Sequence, residues 1–141
     1  MSSDFVRSRA ALLAAIGLAL GTGAAVAKDI PVKLSGAEET PPVTTSATGE
    51  GKITVAKDHS VSGTIKTTGV DGIAAHIHVG PPGQSGPPII TLTKGADGTW
   101  TVPKGSKLTD EQFESFKSGN LYVNVHSAEH KPGEIRGQLK P

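Results

Sequence analysis

Histidines carry the clearest chemistry in this sequence. His76 and His78 stand two apart in Ala75-His76-Ile77-His78-Val79. On a strand, side chains at i and i+2 point the same way, so both rings leave one face while Ala75, Ile77 and Val79 leave the other. A third imidazole, His126, ends Leu121-Tyr122-Val123-Asn124-Val125-His126, where Tyr122, Asn124 and His126 share a face. Two imidazoles at this spacing can converge on one ion, and a third from another strand completes a three-nitrogen site. The chain contains no cysteine and its one methionine is Met1. Without sulfur, such a site suits Cu(II), Zn(II) or Ni(II) and suits Cu(I) less well. Copper bound by His76, His78 and His126 is the expected case, with zinc as the alternative.

Four further residues are positioned to orient those ligands. Asn124 lies on the His126 face. Glu134 and Arg136 alternate with Ile135, Gly137 and Leu139 on a third stretch. Glu39, next to Glu38, reaches the stripe if its loop folds over it. His130 is read as a surface residue before a fourth ligand, and His59, beside Asp58 in a turn, as surface. The plainer explanation is a sheet packed on one side and wet on the other, which alternates without any function. A solvated face, however, is ordinarily rich in Lys, Thr, Ser and Glu, and His-x-His is not that composition.

Other chemistries find no support. There is no Gly-x-Ser-x-Gly elbow and no phosphate loop. Ser127 follows His126 directly and must face the opposite way. Glu134 is a lone carboxylate where a glycosidase needs a pair.

The elements that must carry these residues are short. Gly and Pro punctuate β-branched runs, as in antiparallel β proteins. Strands are expected at Ile30–Leu34, Thr48–Val55, Val61–Thr67, Ala74–Val79, Ile89–Thr93, Thr99–Val102, Asn120–His126 and Gly133–Leu139. Ser35 to Ser46 reads as a loop, and Gly80 to Pro88 as a Pro/Gly surface loop. Gly95-Ala96-Asp97-Gly98 reads as a hairpin turn. Thr109 with Gln112 fits a capping box that opens one short helix, with Phe113 and Phe116 on its buried face and Gly119 ending it. The resulting fold class is all-β: an antiparallel, Greek-key-like β-sandwich of about seven to eight strands with one short helix. Trp100 is expected in the core or against the hairpin. Ala75-His76-Ile77-His78 and Val123-Asn124-Val125-His126 echo one another, and both run into a Pro/Gly loop.

The N-terminus has Arg7 and Arg9, an uncharged Ala- and Leu-rich stretch from Ala10 to Ala27, and the ending Ala25-Val26-Ala27. That is the pattern of a signal peptide over 1–27 with cleavage after Ala27. An uncleaved anchor is the rival, diluted by Gly17, Gly21 and Gly23. The remaining domain, 28–141, has the size of one unit. Losing Asp4, Arg7 and Arg9 brings the 14 basic and 13 acidic residues into balance. Nothing then favours nucleic acid or anionic lipid as a partner, and no stable membrane insertion is expected after cleavage. A periplasmic or secreted location is expected.

Three stretches in order resemble one family. Leu34-Ser35-Gly36-Ala37-Glu38-Glu39-Thr40-Pro41-Pro42-Val43 with Ala47-Thr48-Gly49 is similar to the opening of CHRD (chordin) domains. Ala75 to Gly80 with its Pro/Gly loop is similar to their central motif. Leu121 to Ser127 with Pro132-Gly133-Glu134-Ile135-Arg136-Gly137-Gln138-Leu139 is similar to their closing motif. Ser127 stands where the family more often has Thr. The resemblance implies a β-sandwich of exported, mostly bacterial proteins and says little about activity. A weaker similarity links His76, His78, His126 and Arg136 to the copper side of Cu/Zn superoxide dismutase, without its disulfide or zinc-loop ligands. Three functions follow: a non-catalytic copper-binding module, a structural or cell-surface interaction module with an unknown protein partner and no metal, and a dismutase-like redox enzyme.

Overall fold

The computed structural model describes residues 27–141. The leader read over 1–27 lies, except for Ala27, outside the described residues. Among those described, no helix is long and apolar enough to cross a membrane.

Among the described residues nine strands form: β1 (Lys28–Ser35), β2 (Thr48–Val55), β3 (Val61–Thr68), β4 (Gly72–Val79), β5 (Pro88–Thr91), β6 (Thr93–Lys94), β7 (Thr99–Thr101), β8 (Leu121–Ser127) and β9 (Ile135–Leu139). One helix, α1 (Asp110–Lys117), lies between β7 and β8. The spatial order is β5-β4-β8-β9-β1-β2-β3-β7-β6. Neighbouring strands run antiparallel throughout. β1 and β9 meet at the single pair Ser35↔Arg136, where the sheet folds over on itself.

The core lies between the two halves. Ile30, Val32, Leu34, Ile53 and Ile65 come from one half and Ala75, Ile77, Val123, Val125, Ile135 and Leu139 from the other. Each alternates with a residue of the outer face, so period-2 patterning alone selects the inward set. Fully burying each Val, Ile or Leu contributes about 1.5–3 kcal/mol. With no cysteine in the chain, that burial stabilises the fold without disulfides. Trp100 joins the core at 2% exposure.

Strand number exceeds the expected seven to eight because the run expected at Ile89–Thr93 divides at Leu92. β5 pairs with β4, and β6 pairs with β7 in a hairpin. Asp97 (φ 54°) and Gly98 (φ 73°) are both left-handed, as a type I′ turn requires. Leu92 is buried, and its N–H donates to the Ala75 carbonyl at 2.9 Å. The strands at the two ends of the order are thus consecutive in the chain, one residue apart, which leaves little free edge.

The helix begins as its sequence predicts. Thr109 Oγ1 accepts from the Gln112 N–H at 3.1 Å, and Gln112 Oε1 accepts from the Thr109 N–H at 3.0 Å. Phe116 is buried and Phe113 is partly buried. His59, expected at the surface, instead stacks on Phe113 with centroids 4.1 Å apart and lies 3.4 Å from Asp110. The helix supplies an apolar ring face that makes this turn residue half-buried.

Candidate metal centre

The pairing register explains how three imidazoles meet. β4 and β8 are adjacent and antiparallel, with Ala74 opposite His126, His76 opposite Asn124 and His78 opposite Tyr122. The echo between the two stretches is therefore a pair of neighbouring strands. Across β8, Asn124 faces Arg136 and Tyr122 faces Gln138 on β9. One nitrogen from each of His76, His78 and His126 lies within 4.8 Å of the other two. Ring centroids are 5.5 Å apart for His76–His78, 5.0 Å for His76–His126 and 6.0 Å for His78–His126.

Backbone carbonyls set the tautomers. His78 Nδ1 lies 2.8 Å from the Gly86 carbonyl and His126 Nδ1 lies 2.7 Å from the Lys131 carbonyl. A carbonyl only accepts, so each Nδ1 carries the proton and each Nε2 keeps its lone pair. This is how proteins prepare histidine ligands. His126 Nε2 accepts from His76 Nδ1 at 3.0 Å. His78 Nε2 is buried with no hydrogen-bond partner. Burial, followed by the neighbouring imidazoles, holds His76 below the usual 6.5. Burial also lowers His78, against the Gly86 bond that favours its charged form. Both rings are thus neutral and able to donate near neutral pH.

Arg136 is 2% exposed and its Cζ sits over the Tyr122 ring, 3.5 Å from the centroid. Tyr122 also stacks on His78, with centroids 4.7 Å apart and planes 7° from parallel. The guanidinium donates to the Gln84 and Pro81 carbonyls at 2.9 and 3.0 Å and to Gln138 Oε1 at 3.1 Å. Gln138 Nε2 donates to the Gly80 carbonyl at 2.8 Å. The Pro/Gly loop after β4 is therefore clasped from beneath, although Pro82 to Ser85 are exposed. Its Gly86 carbonyl is the one that orients His78.

Glu39 comes in from the other side. After β1 the chain makes a 3-10 turn over Gly36–Glu38, and the Val43 N–H returns to the Gly36 carbonyl at 2.8 Å. That fold-back leaves Glu38 exposed and buries Glu39 at 7% exposure. Burial pushes the Glu39 carboxyl up to about 7, while Arg136, Asn124 and the Thr40 N–H pull it down. Glu39 Oε1 and Asn124 Oδ1 are buried without partners, as is His78 Nε2. Asn124 Nδ2 donates to the Pro132 carbonyl at 3.3 Å. Gly133 holds φ +135°, and a Cβ there would stand 2.4 Å from Glu39 Oε1 and 2.6 Å from Asn124 Nδ2. The glycine makes room for both groups.

Glu134 is engaged elsewhere. It accepts from Ser127 Oγ at 2.7 Å and from Thr45 Oγ1 at 2.9 Å, so its carboxylate ties two loops together and no hydrogen bond joins it to the three histidines. Ser127 faces away from His126, as its position in the alternation requires. His130 falls in a separate group with Glu129 and Glu134. Tyr122, Gln138 and the Gly86 and Lys131 carbonyls are parts of the site that spacing did not single out. The signals for them were the alternation that puts Tyr122 on the His126 face and the Pro/Gly loops that follow both histidine-bearing stretches.

A family model described as the CHRD domain matches residues 30–139. No curated protein and no solved structure gives a significant match. The opening, central and closing stretches that lie on β1, β4, β8 and β9 all fall within the matched span, and the chain belongs to the CHRD-domain family.

Proposed function

We propose that this chain is an exported, non-catalytic binding module for a transition metal, copper first and zinc second, with His76, His78 and His126 as ligands. The observation that carries the reading is the set of three imidazole nitrogens within 4.8 Å of one another, two of them with the opposite ring nitrogen fixed by a carbonyl. A divalent ion displaces the His76–His126 hydrogen bond and gives His78 Nε2 a partner. His76 and His126 are partly exposed, which leaves the centre reachable from solvent. Export rests on the leader pattern over 1–27 and places the module in the periplasm or outside the cell.

Titration of the domain 28–141 with Cu(II) and with Zn(II) tests the reading. Binding tighter than about micromolar, equivalent to about 8 kcal/mol, is expected. It should be lost in the His76→Ala/His78→Ala variant. No such affinity, or affinity unchanged in the double variant, rejects it.

One observation favours the interaction module as a second reading. The loop over 80–87 is exposed at Pro82 to Ser85 and held rigid from below by Arg136 and Gln138, as a preformed contact surface would be. The dismutase-like reading lacks such support, because Arg136 is buried and committed to loop carbonyls, not free to guide an anion.

A further inference from the structure

We infer that the Asn124 side-chain oxygen is a fourth donor to the ion held by His76, His78 and His126, making a centre of three nitrogens and one oxygen for a divalent cation. The inference rests on the metal-binding reading above and deepens it.

The argument begins with register. Asn124 lies directly across from His76, one position along the same face of β8 from His126, and diagonal to His78. It therefore stands on the floor between the three rings. Its amide orientation is decided by its neighbours. Nδ2 donates to the Pro132 carbonyl at 3.3 Å, and it shares with Glu39 Oε1 the space that the missing Cβ of Gly133 leaves. The Pro132 carbonyl accepts from the nitrogen, and the neighbouring Glu39 carboxyl oxygen disfavours a second oxygen on that side, so Oδ1 turns the other way.

Oδ1 has no hydrogen-bond partner, although Asn124 is 2% exposed. His78 Nε2 is in the same condition. Asn124 on β8 and His78 on β4 are diagonal neighbours across the strand pair, and no hydrogen bond joins their two unpartnered atoms. With the Gly86 carbonyl holding the proton on Nδ1, His78 keeps a lone pair on its unpartnered Nε2, and Asn124 keeps one on its unpartnered Oδ1. Two buried acceptors on paired strands, neither with a partner, each carry the cost of an unsatisfied polar group. A divalent cation between them satisfies both. Three imidazoles and one carbonyl-type oxygen complete four-coordinate zinc or a tetragonal Cu(II), and the oxygen donor adds nothing for Cu(I). Glu39 then acts as a positioning residue that keeps the amide from turning over.

Cu(II) electron paramagnetic resonance and Zn(II) affinity of the domain, with added copper or zinc salt alone, test this. The wild type should give a spectrum with three coupled nitrogens. In Asn124→Ala the nitrogen pattern should persist while the parallel g and hyperfine values move away from a site with an oxygen donor, and Zn(II) should bind about 10-fold or more weakly. Asn124→Asp, which keeps an oxygen at that point and adds charge, should bind Zn(II) more tightly than wild type and retain the oxygen-donor spectrum. This variant carries the test if Asn124→Ala does not fold. An Asn124→Ala spectrum superimposable on wild type, or Zn(II) affinity lowered or unchanged in Asn124→Asp, overturns the fourth donor while leaving the three-histidine centre intact. A wild type that shows only buffer copper rejects both.

Discussion

Two outer faces of the same sheet alternate in the same way and have opposite fates. On β1, β2 and β3 the outward rows are Lys33–Glu50–Lys66 and Pro31–Lys52–Thr64, and all six of these residues are exposed. The ion pair there, Lys52 to Asp29 at 3.4 Å, joins two mostly solvated side chains and contributes little. On β4, β8 and β9 the outward rows are His76–Asn124–Arg136 and His78–Tyr122–Gln138. Of these, His78, Tyr122, Asn124 and Arg136 are buried under the loops that follow β1, β4 and β8. Period-2 alternation marks one side as polar. Whether that side is wet or enclosed depends on the loops, and enclosed polar groups must find partners.

The sharpest way to break the contrast is to remove one residue from each face. Arg136→Ala deletes three charge-assisted hydrogen bonds and the packing on Tyr122. It should cost about 3 kcal/mol or more in urea unfolding and release the loop over 80–87 to proteolysis. Lys66→Ala, on the wet face, should change stability by no more than about 0.5 kcal/mol. Equal effects would mean that the covered face is not a distinct environment.

Acid should separate the faces next. His76 and His78 have values depressed below 6.5 by burial, so the unfolded chain binds more protons. Their contribution to stability is complete above pH 6.5 and is lost as pH falls through their lower folded values. Metal binding should weaken over the same range, because protonated imidazole cannot donate. The His76→Ala/His78→Ala variant should lack this acid loss in unfolding midpoints taken against pH.

Glu39 acts in the opposite sense. Its carboxyl is raised from 4.5 to about 7, so its contribution is complete below pH 4.5 and is lost as pH rises through about 7. Between pH 4.5 and 6.5 the two effects oppose each other. Glu39→Gln should remove the rising-pH loss and leave a steeper dependence set by the histidines. An unchanged profile would show that Glu39 is not enclosed. The smallest expected effect is that of salt on the Lys52–Asp29 pair: high ionic strength should alter its weak contribution and leave the Arg136 clasp untouched.

Much of the site was legible because it depends on short-range rules. His76 and His78 share a face by strand geometry, and so do Asn124 and His126. The capping box at Thr109 and Gln112 formed as read. The strands at Thr48–Val55 and Val61–Thr68 lie within a residue of expectation. Less was legible where one residue changes partners. The run from Ile89 to Thr93 has continuous β character, and nothing local shows that Leu92 divides it between opposite ends of the strand order. Glu134 reads as part of the polar stripe, yet Ser127 and Thr45 hold it elsewhere, because it precedes β9 beside a glycine at positive φ. His59 looked solvated because its ring partner, Phe113, is distant in sequence.

Alone, the sequence determined an all-β chain with an alternating face that carries three histidines and no sulfur, since side-chain direction on a strand and donor chemistry are properties of neighbouring residues. Tertiary structure decided that β4 pairs with β8, that Gly86 and Lys131 fix the ring tautomers, and that Glu39, Asn124 and Arg136 are enclosed. Those outcomes depend on loop closure and strand register, which join neighbours as near as His126 and Lys131 and strands as distant as β4 and β8, and which no local pattern encodes.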